Sequence, residues 1–382
     1  MRDPVFPVFC ALGIVLCLLP LPWHWKARNT GTLLYLGWTI TGCVIYFVNS
    51  LFWAGNLRNP APVWCDTSTK LMIGLSVGIT ASSLCINRKL YHIATIKSVV
   101  DMRSSKKRNL IIDLLLGIGL PILVMALHYI VQDHRFDILE DYGCWPATYN
   151  TLLTVPLVLI WPIIISVASF IYAGLTIRAF LETRRQFAKA LSAKSTGLNT
   201  SRYFRLMALA ATEMCFSLPF SLYLLIINVN NSNLNPWISF NDTHFGFSRV
   251  NVVPFMFLNA VPQTRNLIEI TRWVTPGGAF LFFAYFGLAG EASEEYKKFF
   301  WKVVKPLGIK PPAPKQSRPS WSNKIVSNAS SNTRDIATFP SSRPTFNATT
   351  SLASIATDDK SETTDIKGQP PATHVHDLEG QQ

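Results

Sequence analysis

The chain has 382 residues, 49% hydrophobic and only 15% charged, with a net charge of +13. Soluble domains average roughly 25% charged residues, so this chain lacks the polar material to coat a water-facing surface. The apolar excess makes a membrane surface a simpler partner for the positive charge than nucleic acid, and the seven cysteines, lacking CxxC or Cys/His spacing, write no zinc or redox motif.

The first apolar stretch, 5–24, has no basic n-region before it and no small-x-small cleavage site, so it reads as a retained span rather than a secretory signal. A bilayer core of about 30 Å needs roughly 20 apolar helical residues. Further candidates of that kind lie at 31–54, 67–87, 110–131, 151–177, 206–228 and 266–289. The segment "VNVVPFMFLNAVP" after Arg249 is too short to cross and holds two prolines, which places it at the outer interface or partly re-entrant. The expectation is an all-α membrane protein, a bundle of seven transmembrane helices.

The connecting loops give an orientation. The loop after the third span sums to +6, from Arg88, Lys89, Lys97, Arg103, Lys106, Lys107 and Arg108 against Asp101. The loop after the fifth sums to +6 as well, with Arg178, Arg184 and Arg185 among its bases, while the alternate loops sum to 0, −3 and +1. Basic loops stay cytoplasmic, so the N-terminus is expected outside and the C-terminus inside. Trp64, Cys65 and Asp66 then face the exterior, as does Cys144 in the loop "QDHRFDILEDYGCWPATYN". A disulfide between the two cysteines is the natural inference in that oxidising space; two free thiols are the alternative. The other five cysteines fall inside spans and read as small packing residues.

The fifth helix is expected to run on into the cytoplasm as an amphipathic arm. Residues 1–290 form the expected membrane domain, 291–310 a short amphipathic helix in the inner headgroup layer, and 311–382 a disordered Ser/Thr-rich cytoplasmic tail. Charges inside spans are expensive and usually functional. Glu213 sits about 12 Å from the inner edge of the sixth span, with Arg88 as its nearer candidate partner, and Lys70 lies close enough to the outer edge to snorkel outward. Pro219 kinks the sixth span and offers a hinge, and Pro121, Pro156 and Pro162 mark the fourth and fifth. Gly74, Gly78 and Ser82 put small residues four apart on the third, allowing close packing. The sequence carries no HExxH, no GxSxG and no phosphate-binding glycine loop, so no enzyme, metal or cofactor is expected. A secondary transporter would show internal repeats, and none is found. Asn230 and Asn241 sit in glycosylation sequons on the proposed outer side, whereas Asn199, Asn328 and Asn347 sit in sequons inside.

"LPLPWHWKARNTGTLLYLGW", "APVWCDTSTKLMIGLSVGITASSLCINRKLY", "DLLLGIGLPILVMALHYIVQDHRFDILEDYGCWPATYN" and "FFAYFGLAGEASEEY" resemble the fungal lipopeptide mating-pheromone receptors of the a-factor receptor type, most of all those of mushroom B mating-type loci. The resemblance implies a class D G-protein-coupled receptor of the plasma membrane, without a cofactor, that binds a secreted farnesylated peptide pheromone and activates a heterotrimeric G protein. Membrane lipids surround it, a homodimer is left open, and no nucleic acid is involved. Trp64, Asp66, Lys70, Asp137, Glu140, Asp141 and Trp145 are the candidate ligand contacts. Arg88, Lys89, Arg178, Arg184 and Arg185 are the candidate G-protein contacts, with Glu213 and Pro219 as switch and hinge. The chain reads "INRKLY" where rhodopsin-like receptors carry DRY, and its last span has no NPxxY. That puts the usual ionic lock in doubt, though Arg88 could play a comparable part.

Overall fold

The computed structural model describes residues 4–95, 99–188, 197–230 and 234–288; within these, the side chains of 99–106, 180, 183–188, 197–203, 213–214 and 230 are outside the described set. The helix expected at 291–310 and the tail at 311–382 also lie outside the described residues.

Eleven helices are described in this set: α1 (Val5–Leu18), α2 (Leu21–Lys26), α3 (Thr30–Phe52), α4 (Pro62–Thr95), α5 (Val99–Leu114), α6 (Leu120–His128), α7 (Ile160–Ala188), α8 (Gly197–Asn230), α9 (Phe240–Thr243), α10 (Phe255–Ala260) and α11 (Pro262–Phe286). Among the described residues six helical stretches are long and apolar enough to cross a membrane: Val5–Lys26, Thr30–Phe52, Pro62–Thr95, Lys107–Val131, Val155–Ala179 and Phe204–Val229. They fall on the first six stretches expected from the sequence. The seventh, α11, has 25 residues but is less apolar, because its first half carries Arg265, Glu269 and Arg272. The architecture is a membrane bundle of helices.

α4 is its central post. Of its most apolar stretch 72% is buried, against 22% for the stretch Lys107–Val131. One side of α4 supplies Ile86 and Leu90 to a core with Tyr35 and Leu36 of α3, Leu209 of α8 and Phe282 of α11. Its other side supplies Val77, Ala81 and Leu84 to a second core with Val124 of α6 and Ile165 of α7. The small residues of α4 admit neighbouring side chains. A Cβ on Gly78 would collide with the Trp38 ring, and one on Gly74 would lie 2.9 Å from Met125 Sδ. Cys10, Cys17, Cys43 and Cys85 are buried as expected of packing residues, but Cys215 is exposed on α8.

The prolines explain where helical hydrogen bonding departs from the α pattern. A π-helical turn, Leu115–Gly119, joins α5 to α6 just before Pro121, and another, Val155–Leu159, contains Pro156. Proline offers no N–H to the carbonyl one turn earlier. For Pro121 that carbonyl belongs to Gly117, which instead accepts the Trp38 Nε1–H at 2.8 Å. The lost helical bond is thereby converted into a tie between α3 and the fourth span.

The all-α expectation needs one correction. Three short strands, β1 (Phe136–Leu139), β2 (Gly143–Trp145) and β3 (Val250–Val253), form a sheet in the order β2-β1-β3. β1 and β2 make an antiparallel hairpin, and β3 adds in parallel, Ile138 facing Val252. Asp141 in the turn has φ 68° and Gly143 φ 84°, the left-handed region where glycine is at ease. β3 is the front half of the segment that the sequence placed at the outer interface; its backbone bonds to a strand, which satisfies it without a helix.

Candidate functional site

The hairpin lies over the end of α4 that begins at Pro62 and is bound to it covalently by the Cys65–Cys144 disulfide. Buried Trp53, Phe136 and Ile138 pack around that bridge. Asn49 of α3 locks the arrangement from beneath: its Nδ2 donates to the Cys144 carbonyl at 3.2 Å, and its Oδ1 accepts the Trp64 indole N–H at 2.9 Å.

The acids named as candidate ligand contacts all have partners inside the protein. Asp66 takes both arms of Arg135, the Nε–H at 2.7 Å. Asp137 Oδ1 lies 2.7 Å from His134 Nε2. Glu140 accepts the Phe255 backbone N–H at 2.8 Å, and Asp141 accepts that of Gly55, also at 2.8 Å. Together they tie the lid to α4, to α10 and to the turn after α3. Trp145 packs on the cluster of Phe6, Tyr46 and Met72 under the lid. Lys70 does not end in solvent: its ammonium donates to Gln132 Oε1 and lies 3.2 Å from His128 Nδ1, so burial is answered by two partners at the end of the fourth span rather than by snorkelling.

Beneath the hairpin sits a polar cluster that the sequence reading missed. Arg272 of α11 donates to both oxygens of Glu269, at 2.7 and 2.9 Å, and its guanidinium lies 4.2 Å from the Phe6 ring centre and 4.7 Å from that of Tyr142. The Tyr142 hydroxyl donates to Glu269 at 2.8 Å, and burial with that bond raises the phenol pKa above its ordinary value. Two of the charges that make α11 less apolar, Glu269 and Arg272, are therefore the ones that join α1, the hairpin and α11, while Arg265 donates to Asn259. Their three- and four-residue spacing along one helix face was the available signal.

His134 is the second missed group. It is buried between two carboxylates, Nδ1 2.9 Å from Asp133 Oδ1 and Nε2 2.7 Å from Asp137 Oδ1. Burial alone would lower its pKa; the two carboxylates overrule that and push it up to about 9.

At the other end of α4, three consecutive side chains fan out, as a rotation of about 100° per residue requires. Asn87 Nδ2 donates to Ser169 Oγ of α7 at 2.8 Å. Arg88 donates to Asp113 Oδ1 at 2.7 Å and to the Asn109 carbonyl of α5 at 3.0 Å, both members of the Arg88–Asp113 ion pair being buried. Lys89 donates to Asn29 Oδ1 at 2.9 Å and to the Arg28 carbonyl at 3.2 Å. Arg88 is thus paired with Asp113, while the Glu213 side chain, its expected partner, lies outside the described residues. An acid standing alone in "NLIIDLLLG", at the depth of Arg88, was the sequence signal for it.

Other candidates are placed but not brought together. Arg178 is exposed on α7 and pairs with Glu182 at 3.0 Å. Arg184 and Arg185 follow on α7 and Glu213 lies on α8, with side chains outside the described set. Pro219 is interior to α8 and exposed; Asn230 ends α8 and Asn241 is exposed on α9. No group of three or more His, Cys, Asp or Glu residues that could hold a metal occurs among the described residues.

A helix bundle with a disulfide-tethered hairpin at one end and a buried charge pair fastening its central helix at the other defines a helical membrane protein. Residues 5–305 match the family described as STE3, pheromone A receptor, and the chain belongs to that family. It is 43% identical over 331 residues to the pheromone B alpha 3 receptor of Schizophyllum commune, covering 85% of this chain and 53% of the relative. It is 33% identical to pheromone receptor 1 of Mycosarcoma maydis, covering 94% of this chain and 98% of that one. The pheromone a factor receptor of Saccharomyces cerevisiae is 26% identical over 77% of this chain and 61% of its own. The chain spans about half the length of the Schizophyllum relatives it matches.

Two measurements check the site. Asp113→Ala leaves the Arg88 guanidinium buried without its counter-charge, which costs about 3–5 kcal/mol; thermal unfolding of the purified protein should fall accordingly, and the double change Arg88→Met with Asp113→Leu should recover most of it. Protonated His134 stabilises the folded lid, because its folded pKa of about 9 exceeds the ordinary 6.5. That contribution is full below about pH 6.5 and is lost as pH rises through about 9. The unfolding temperature should decline across this window, and His134→Asn should flatten the decline.

Proposed function

We propose that the chain is a plasma-membrane receptor that crosses the bilayer seven times, binds a secreted farnesylated peptide pheromone at its outer face, and activates a heterotrimeric G protein at its inner face. The family match over residues 5–305 carries this reading. α11 serves as the seventh span, its Arg272 turned onto Phe6 and Tyr142 rather than lipid. The two loops of charge +6 lie in the cytoplasm, and the lid lies outside.

In this reading the peptide meets the lid around Trp64, Lys70 and Trp145 and competes for the ion pairs of Asp66 and Asp137 and for the backbone hydrogen bonds that Glu140 and Asp141 now accept. Exchange of partners there gives a ligand differential contact with two states, without which no equilibrium shifts. The prenyl chain contributes about 0.8 kcal/mol for each buried CH₂. On the inner side, α8 moves about Pro219 and Glu213, and Arg88, Lys89, Arg178, Arg184 and Arg185 line the crevice that receives the G protein.

Nucleotide exchange by a co-expressed G protein tests the function. A farnesylated pheromone should stimulate exchange and its unprenylated form should not. Arg184→Ala with Arg185→Ala should abolish exchange while leaving pheromone binding intact; unchanged exchange would count against the inner crevice. Glycan mapping tests the orientation. Sugar should be found at Asn230 or Asn241, and sugar at Asn199, Asn328 or Asn347 would overturn it.

A further inference from the structure

Outside the bundle's core, between α3 and the helix formed by α5, the π-helical turn and α6, runs a groove of about 820 Å³. Leu34 and Trp38 form one wall, Leu114 and Ile118 the other, and Leu71 of α4 closes the far end. The mouth is different in kind: it is made by Trp25, Arg28 and Thr30. From Thr30 to Thr41 the α3 wall runs about 16 Å at 1.5 Å per residue, the depth of one leaflet of a core about 30 Å thick.

The groove is a built feature. Trp38 is fixed by its bond to the Gly117 carbonyl, so one wall is preformed. Its floor is Gly37, which is exposed and where a Cβ would meet nothing within 4 Å. On the same helix the inward-facing glycines are filled up to contact: a Cβ on Gly31 would lie 2.9 Å from the Ile86 backbone nitrogen, and one on Gly42 2.7 Å from Thr275. α3 thus spends glycine on packing at two positions and on open space at a third.

Charge selects the occupant. No acidic residue lines the groove. Arg28 at the mouth is exposed, and exposed Lys26 lies two residues before it. Exposed Lys107 precedes Leu110 and Leu114 by three and seven residues, hence stands on their helix face just outside the same mouth. Lys89 adds its charge against the Arg28 carbonyl. Each basic residue near an anionic membrane surface is worth about 1 kcal/mol, and the Trp25 indole, 70% exposed, sits at the level such rings favour.

We propose that this groove binds an anionic glycerophospholipid of the cytoplasmic leaflet, its headgroup at Lys26, Arg28 and Lys107 and one acyl chain laid over Gly37 between Trp38 and Ile118. The leaflet assignment rests on the orientation proposed above; the site itself does not. A neutral sterol, or an apolar helix face of a second copy, would leave the cationic mouth unanswered.

The test is native mass spectrometry of the full chain, released from vesicles holding dioleoyl phosphatidylserine, dioleoyl phosphatidylcholine and ergosterol in equal amounts. One phosphatidylserine should be retained in preference to the other two. Gly37→Leu, which fills the floor without a clash, should reduce that retention at least tenfold. So should Lys26→Gln, Arg28→Asn and Lys107→Gln combined, with asparagine chosen because Arg28 has a φ of 50°. Unfolding temperature in lipid-free detergent reports whether either variant is misfolded, and the two act by independent means. Equal retention of the three lipids, retention indifferent to both variants, preferential ergosterol, or a dimer lost in Gly37→Leu with lipid unchanged would each overturn the proposal. If glycan mapping reverses the orientation while phosphatidylserine retention survives, the site stands and the cytoplasmic leaflet falls.

Discussion

Everything in this bundle is measured against α4, and α4 is held at both ends by bonds that a bilayer makes hard to replace. At one end a covalent bridge joins Cys65 to the hairpin. At the other, Asn87, Arg88 and Lys89 reach α7, α5 and the link between α2 and α3. Polar groups buried without partners cost several kcal/mol in hydrocarbon, so each such contact fixes which helix lies beside α4 and at what height. Apolar packing alone would not do this, because lipid tails are as apolar as leucine and reward helix association little. The two cores on opposite sides of α4 supply close packing; the polar ends supply register.

The same reasoning accounts for the lid. Three strands of three or four residues have no stability of their own. They hold because the disulfide, the Asn49 bonds and three carboxylates pin them to α3, the turn after it, α4 and α10. Most of the acidic charge of the loop that carries the hairpin is thus structural in this state. The Arg272 and Glu269 pair, covered by Phe6 and Tyr142, carries the connection from the hairpin to α11 and α1.

Long apolar runs made the helices legible in the sequence, since length and hydropathy alone set them. The disulfide was legible too, once charge asymmetry put both cysteines on one side. Asp113 was not, because one acid among leucines gives no indication of which basic residue it meets, and Arg88 had a rival in Glu213. The hairpin escaped notice for a different reason: β1 and β2 are too short for alternation to register, and their pairing is set by the bridge and the turn at Gly143 rather than by pattern. In α11 the pair Glu269 and Arg272 went unread, because helical spacing alone does not say that Phe6 and Tyr142 cover it.

If the proposed receptor switches, the moving part has to be one with few such fastenings. α4 is excluded, as any displacement would break bonds at both ends together. α8 differs in kind. Two of its described polar ties to other helices are between hydroxyls, Ser217 with Ser166 of α7 and Thr212 with Tyr285 of α11, at 3.2 and 2.9 Å. Neutral hydrogen bonds of this sort are worth about 1 kcal/mol net, well below a buried charge pair, and either hydroxyl can rotate to a new acceptor. Its proline, Pro219, lies just beyond Ser217 and has already removed one backbone bond from the helix. A ligand that rearranges the lid therefore works against a post held by a covalent bridge and a buried charge pair and a neighbour whose hydroxyl ties can exchange partners around a proline.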